Sequence, residues 1–211
     1  MLFRSDGGQT GTVVTVPASC TGTTRLDGFI VTNGRAASGG GIACNTGSRA
    51  VVANNLITAN QAKSFAADAY GGGVFCYNAE GAFYNNVIAS NSARGTSVTG
   101  AYNYGGGIYC TGGTPTFVNN TIVHNSAAGG ALDHDIGGGV SCNNCGGVFQ
   151  NNIIAFNSTG IYLTSGLPAV LYNCIYGNPG GDVAGFVPDK TNINANPTFV
   201  DDANGNYHLQ A

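Results

Sequence analysis

A phrase of three glycines followed by Ile or Val recurs four times along this 211-residue chain. The copies begin at Gly39, Gly71, Gly105 and Gly137, which are 32, 34 and 32 residues apart. A period of this length is typical of stacked repeats, in which each unit buries its apolar side only against its neighbours. The periodicity therefore predicts one elongated domain over residues 1–211 rather than several globular ones.

Apolar residues follow each glycine copy in three columns at nearly fixed offsets. The first column is Ile42, Val74, Ile108, Val140 and Ile161, and its members are followed two residues later by Cys44, Cys76, Cys110, Cys142 and Leu163. The second column is Val52, Phe83, Phe117, Phe149 and Leu171, and the third is Ile57, Ile88, Ile122, Ile154 and Ile175, with Ile30 as an earlier member. Alternation with a period of two places the first apolar residue and the cysteine on one side of a strand.

Three short strands per coil, separated by turns, predict an all-β fold: a single-stranded right-handed parallel β-helix of about six or seven coils. Amphipathic helices are disfavoured, because the glycine runs oppose helix formation and each apolar segment is short. Residues 179–211 are expected to form a terminal coil or cap. We also expect the chain to be part of a longer protein.

Composition supports stacking and excludes some functions. Charged residues make up only 8% of the chain, against about 25% in typical soluble domains. In stacked strands a charge placed once per repeat would meet its own copy about 4.8 Å away. The net charge of −3 gives no basic surface for nucleic acid, and no apolar run is long enough to span a membrane.

Asparagine and cysteine are expected to form structural ladders inside the stack. Asparagines end the third strand at each level, where an amide can bond to its copy one coil away: Asn33, Asn60, Asn91, Asn125, Asn157 and Asn178. Four of the seven cysteines, Cys44, Cys76, Cys110 and Cys142, share one inward column and are interpreted as buried free thiols. The Cys142–Cys145 spacing suits a metal, but no second pair exists to complete a zinc site. We therefore predict no metal or other cofactor, with calcium as the only alternative.

Several phrases resemble bacterial secreted right-handed parallel β-helix proteins with the pectate-lyase-like fold. They are Leu26–Gly34 (Leu-Asp-Gly-Phe-Ile-Val-Thr-Asn-Gly) near the start, and Asn196–Asp201 with Asn204–Leu209 near the end. Gly-Gly-x-Ile and Phe-x-x-Asn motifs are also similar to repeats of the polymorphic outer-membrane autotransporters. The resemblance implies a parallel β-helix in an extracellular or cell-surface protein. It says little about the protein's activity, because one fold hosts many functions.

Sequence variation between coils is confined to one corner, between the third strand and the glycines. The long versions are Gln61–Tyr70, Ser92–Tyr104 and Ser126–Ile136, which should project side by side from one edge. Function on rigid scaffolds concentrates in such segments. The candidate ligand-binding residues there are Tyr70, Arg94, Tyr102, Tyr104, Asp133, His134 and Asp135.

Tyrosines with a few charges suit sugar recognition, because a planar ring packs on the apolar face of a pyranose. The structural alternative is that Tyr70 and Tyr104 pack only on each other. Asp133–Asp135 is either an acid–base or calcium-binding cluster or a solvated turn. No catalytic residues are assigned, because the paired carboxylates of glycosidases are missing from the coils.

We therefore expect a non-catalytic segment of an exported bacterial surface or secreted protein that binds a polysaccharide or surface glycan, or acts in adhesion. A polysaccharide lyase or glycoside hydrolase is the first alternative, and a structural spacer is the second.

Overall fold

The computed structural model describes residues 3–8, 10–65, 67–96, 100–129 and 134–210. Its described residues form short parallel strands that stack into three long walls of a prism, with a lateral arm along one edge. This arrangement is a parallel β-helix, as predicted. Among the residues described, no helix is long and apolar enough to cross a membrane.

Each wall is one parallel sheet that takes one strand from each coil. The first wall contains Val14–Val16, Ile42–Cys44, Val74–Tyr77, Ile108–Thr111, Val140–Cys145, Ile161–Gly166 and Val183–Ala184. The second wall contains Arg25–Asp27, Val51–Ala53, Ala82–Tyr84, Thr116–Val118, Val148–Gln150 and Ala169–Leu171. The third wall contains Phe3–Asp6, Phe29–Thr32, Leu56–Thr58, Val87–Ala89, Thr121–Val123, Ile153–Ala155 and Cys174–Tyr176.

The register of the walls confirms the repeat alignment in the central coils. Cys76 pairs with Cys110, and Phe83 pairs with Phe117. The columns fill the prism: the ring of Phe117 stacks between those of Phe83 and Phe149, at centroid distances of 4.5 and 4.9 Å. Identical or similar apolar side chains therefore lie above one another and pack the interior of the central coils.

Two members of the predicted columns are wrong by one residue, both near an end of the stack. Val31, rather than Ile30, pairs with Ile57 and is fully buried. Val170, rather than Leu171, pairs with Phe149. In both strands consecutive apolar residues leave the alternation ambiguous, and pairing with the next coil decides which one points inward.

The predicted asparagine ladder lies at the corner between the third wall and the arm. Each side-chain amide from Asn60 to Asn157 donates to the Oδ1 of the next ladder asparagine at 3.0–3.1 Å. Asn33 is not a member, since Gly34 occupies the ladder position and its N–H donates to Asn60 Oδ1. Asn33 instead takes a left-handed conformation with φ 58° and donates to Asp6.

A second ladder, not predicted from the sequence, lies at the corner between the second and third walls. Its amides make the same 3.0 Å bonds from coil to coil. Its members are Asn55, Asn86, Asn120, Asn152, Asn173 and Asn192. Both ladders satisfy buried polar groups at the sharp corners of the prism, where wall hydrogen bonds are interrupted.

The long segments at the variable corner do lie side by side, and they are strands rather than irregular loops. The outgoing sheet of this arm contains Arg35–Ala36, Gln61–Ser64, Ser92–Gly95 and Ser126–Ala127. The returning sheet contains Ala69–Tyr70, Tyr102–Tyr104 and His134–Ile136. Between the two sheets lies a small core of Ala62, Ala69 and Ala93.

The C-terminal part of the chain closes one end of the stack and then turns back. Phe186 packs against the prism core, and Asn192 ends the second ladder. The antiparallel strands Phe199–Asp201 and Asn206–Leu209, joined by the 3₁₀ turn Asp202–Asn204, then cover part of the outer side of the third wall.

Candidate aromatic binding face

Aromatic rings form a continuous surface where the returning sheet meets the outer side of the first wall. Tyr70 is followed directly by the glycine run that leads into the wall strand Val74–Tyr77, so the returning sheet and the first wall are adjacent. We call this surface the aromatic face; it consists of Tyr70, Phe75, Tyr77, Tyr102, Tyr104, Tyr109 and His134.

The glycine run is what allows the sheets to meet so closely. Gly71 has φ 63°, and a Cβ there would lie 2.3 Å from the carbonyl oxygen of Val74. No other residue type fits that conformation and that space. The repeated Gly-Gly-Gly phrase is therefore the reason that the arm and the wall form one aromatic surface.

Tyr70 and Tyr104 stack at the centre of the face, with ring centroids 5.4 Å apart and planes only 5° from parallel. Both also contact the buried ring of Tyr109, at 5.2 and 5.3 Å. Burial raises the pKa of Tyr70, which also donates its hydroxyl to Asp68 at 2.9 Å, and it raises the pKa of Tyr104 to about 12. These half-buried rings thus pack on each other, as the structural alternative expected, and form the rigid floor of the face.

Tyr102 and Tyr77 are the exposed tyrosines of the face, with 42% and 50% of their surface accessible. Tyr102 stacks between Tyr104, at 5.7 Å, and His134, at 4.6 Å. Tyr77 continues the strip along the first wall through Phe75. The exposed parts of these two side chains are therefore available to a ligand at both ends of the strip.

Asp68 borders the aromatic face, whereas Asp135 lies on the same side of its strand as the inward-pointing Asn103, and both carboxylates are bonded to the arm itself. Asp68 accepts the Tyr70 hydroxyl and, at 2.8 Å, the backbone N–H of Tyr102. Asp135 accepts the side-chain amide of Asn103 at 2.9 Å. Their observed bonds hold neighbouring coils of the arm in register.

The structure places the remaining predicted site residues differently. His134 belongs to the aromatic face, and Asp135 lies beside it on the same strand. Arg94 lies on the outgoing sheet, where its neighbour Ala93 points into the arm core, so Arg94 projects from the opposite side of the arm. Asp133 lies outside the described residues.

The cysteines do not contribute to this face. All seven are free, and the four of the predicted column are buried in the prism. A hydrogen bond to Cys76 and burial raise the pKa of Cys44 well above the ordinary thiol value, and burial raises that of Cys110. The four side chains therefore lie in the prism core as free, buried thiols.

A histidine–carboxylate pair that sequence reasoning missed lies on the third wall. His124 Nε2 is 2.7 Å from Asp202 Oδ1, although the two residues are 78 positions apart. The pair borders a groove of about 570 Å³ beneath the C-terminal hairpin. It fastens that hairpin to the wall, and no local sequence signal links the two residues.

Within the described residues, no group of three or more His, Cys, Asp or Glu side chains is arranged to hold a metal ion. The fold defines the class of protein as a parallel β-helix with a lateral two-sheet arm. No protein-family model matches this chain, and no curated protein or solved structure is significantly similar to it.

Proposed function

We propose that this chain is a non-catalytic β-helix segment of an exported bacterial protein, and that it binds a polysaccharide or surface glycan through the aromatic face. The observation that carries this proposal is the unbroken strip of rings from Tyr77 to His134. Planar rings pack against the apolar C–H face of a pyranose, while nearby polar groups bond its hydroxyls.

The rigidity of the strip favours binding. Stacking fixes the rings of Tyr70 and Tyr104 before a ligand arrives, and paired strands hold their backbone in register. Less side-chain freedom is then lost on binding than with rings on mobile loops. An elongated strip of rings also suits a chain of sugars better than a single one.

The hydrogen bonds that Asp68 and Asp135 accept from the arm support the non-catalytic part of the proposal. A general acid or nucleophile has to reach the substrate, whereas these carboxylates accept hydrogen bonds from the arm. Their role is to hold the aromatic strands together.

Affinity measurements on neutral polysaccharides, after a glycan-array screen, test the aromatic face. Tyr102→Ala should weaken binding roughly tenfold, because it removes one ring contact. Tyr102→Phe should retain most of the affinity, since the ring remains. Tyr172→Ala, which removes an exposed tyrosine elsewhere on the surface, should change nothing.

Three results would contradict the proposal. One is a screen without any glycan bound, which favours a structural spacer. The second is equal binding by the wild type and by a Tyr77→Ala/Tyr102→Ala variant. The third is release of reducing or unsaturated sugars, with or without calcium, which would make the protein an enzyme.

A further inference from the structure

The side of the arm opposite the aromatic face carries a concentration of positive charge. Three of the chain's seven Lys and Arg residues lie on the outgoing sheet, together with one phenylalanine just beyond it. We call this surface the cationic face; it consists of Arg35, Lys63, Phe65 and Arg94.

Lys63 and Arg94 are in-register neighbours on adjacent coils. Neighbouring strands lie about 4.8 Å apart, and like charges directly opposite each other destabilise a sheet. Among the described strand pairs this is the only one that joins two charged residues. Other charged residues in the described strands are not stacked on one another. A bound anion would relieve the repulsion between Lys63 and Arg94.

Within the described part of the chain, no carboxylate pairs with these three cations. Two other arginines do have partners: Arg25 contacts Asp27 at 2.5 Å, and Arg49 contacts Glu80 at 2.8 Å. The cations of the arm are thus left available to a ligand, whereas Arg25 and Arg49 on the prism are neutralised.

The surroundings of the cations are suited to a sugar. The Phe65 ring is 74% exposed, with Lys63 Nζ 5.1 Å and Arg35 Cζ 5.8 Å from its centroid. Beside Arg35, at the angle between the arm and the third wall, lies a cleft of about 230 Å³ whose lining includes amides and hydroxyls, among them those of Gln61 and Ser92. An exposed ring, hydrogen-bonding groups and cations occur together here.

We infer that the cationic face is a second binding site, for a polysaccharide that carries carboxylate groups. A guanidinium matches a carboxylate in a planar, two-bond geometry, and the phenyl ring can cover a sugar C–H face. Nucleic acid fits less well, because each strand carries a negative charge about every 3.4 Å and affinity rests on neutralising many phosphates, whereas this face offers three cations. The inference does not depend on the aromatic face.

The test compares binding of carboxymethyl-dextran and unmodified dextran, which share one backbone, at low and moderate salt. The wild type should bind only the carboxylated polymer through this face, and salt should weaken that binding. Lys63→Gln/Arg94→Gln should lose roughly tenfold in affinity. The fold should survive, because the substitutions remove a like-charge contact, and thermal unfolding checks this.

The matched control is Arg25→Gln/Arg49→Gln, which changes the net charge by the same amount but removes cations that already have partners. It should bind carboxymethyl-dextran as the wild type does. Equal losses in the two double variants would show a general charge effect and overturn the inference. Tighter binding of a single-stranded oligonucleotide than of the carboxylated polymer would also overturn it.

The proposals for the aromatic face and the cationic face can be tested independently. Tyr102→Ala should leave binding of carboxymethyl-dextran through the cationic face unchanged, and Lys63→Gln/Arg94→Gln should leave binding of a neutral glycan unchanged. If Tyr102→Ala weakens binding of both polymers, the cationic face is not an independent site and the inference is overturned.

Discussion

The prism and its arm are built by the same stacking of parallel strands, yet they differ in what fills them. The prism interior holds columns of Phe, Ile, Val and Cys between two asparagine ladders. The arm interior holds a cluster of three alanines. Large side chains bury far more apolar area than alanine does, so the prism should supply most of the stability.

This difference in buried apolar area explains why aromatic and charged side chains are concentrated on the arm rather than on the walls. The outer faces of the arm carry tyrosines on one side and unpaired cations on the other, while the walls carry few charges. A region that contributes less to folding can accept residues chosen for binding, including a destabilising pair such as Lys63 and Arg94.

The largest expected difference between the arm and the prism is in how readily each opens locally to solvent. Ala93→Cys places a thiol in the arm core at a position as fully buried as Cys110 in the prism. Alkylation of the native protein, followed by peptide mass spectrometry, should label the new thiol at least tenfold faster than Cys110, because the arm opens without unfolding the prism. The raised pKa of Cys110 slows its alkylation further, so Cys76, which is equally buried and whose pKa is lowered by hydrogen bonds from the thiols of Cys110 and Cys44, serves as a second reference. Equal labelling would mean that arm and prism open as one unit.

A second comparison removes one stacked ring from each region. Phe117→Ala should lower the free energy of unfolding by about 3–5 kcal/mol, since it leaves a cavity between two fully buried rings. Tyr104→Ala in the arm should lower it by about 1 kcal/mol, because its ring is only half-buried. Denaturant unfolding measures both, and similar losses would contradict the assignment of stability to the prism.

A third comparison removes one buried asparagine from each region. Asn86 accepts two hydrogen bonds and donates two, so Asn86→Ala should cost about 2–4 kcal/mol by leaving buried groups unpaired. Asn103 in the arm accepts one from the Gly95 N–H and donates one to Asp135, and Asn103→Ala should cost about 1 kcal/mol.

The control for this comparison is the neighbouring residue, Asn85. It has φ 53° and is exposed, so Asn85→Gly should change stability by less than about 0.5 kcal/mol. The absence of a loss in Asn86→Ala would show that the second ladder is not a source of stability, and an equal loss in Asn85→Gly would show that the effect is not specific to the ladder.

The sequence alone was enough for the repeat, the three walls, the cysteine column and the first asparagine ladder. These features depend on residues that recur at the same place in every coil, and in a stacked fold recurrence in sequence becomes contact in space. Prediction failed near the ends of the stack, at Ile30, Asn33 and Leu171, where the repeat is imperfect and the neighbouring coil decides the register.

Only the tertiary structure decided which side of the arm each variable residue occupies. The arm segments differ in length and have no shared pattern, so the sequence grouped Arg94 with the tyrosines, although the alternation around Ala93 sends it to the opposite face. The second ladder and the His124–Asp202 contact were likewise visible only after folding. A residue that recurs in every coil has its own copies as neighbours, so its contacts can be read from the sequence. A residue that does not recur is surrounded by distant parts of the chain, which become neighbours only when the coils are complete.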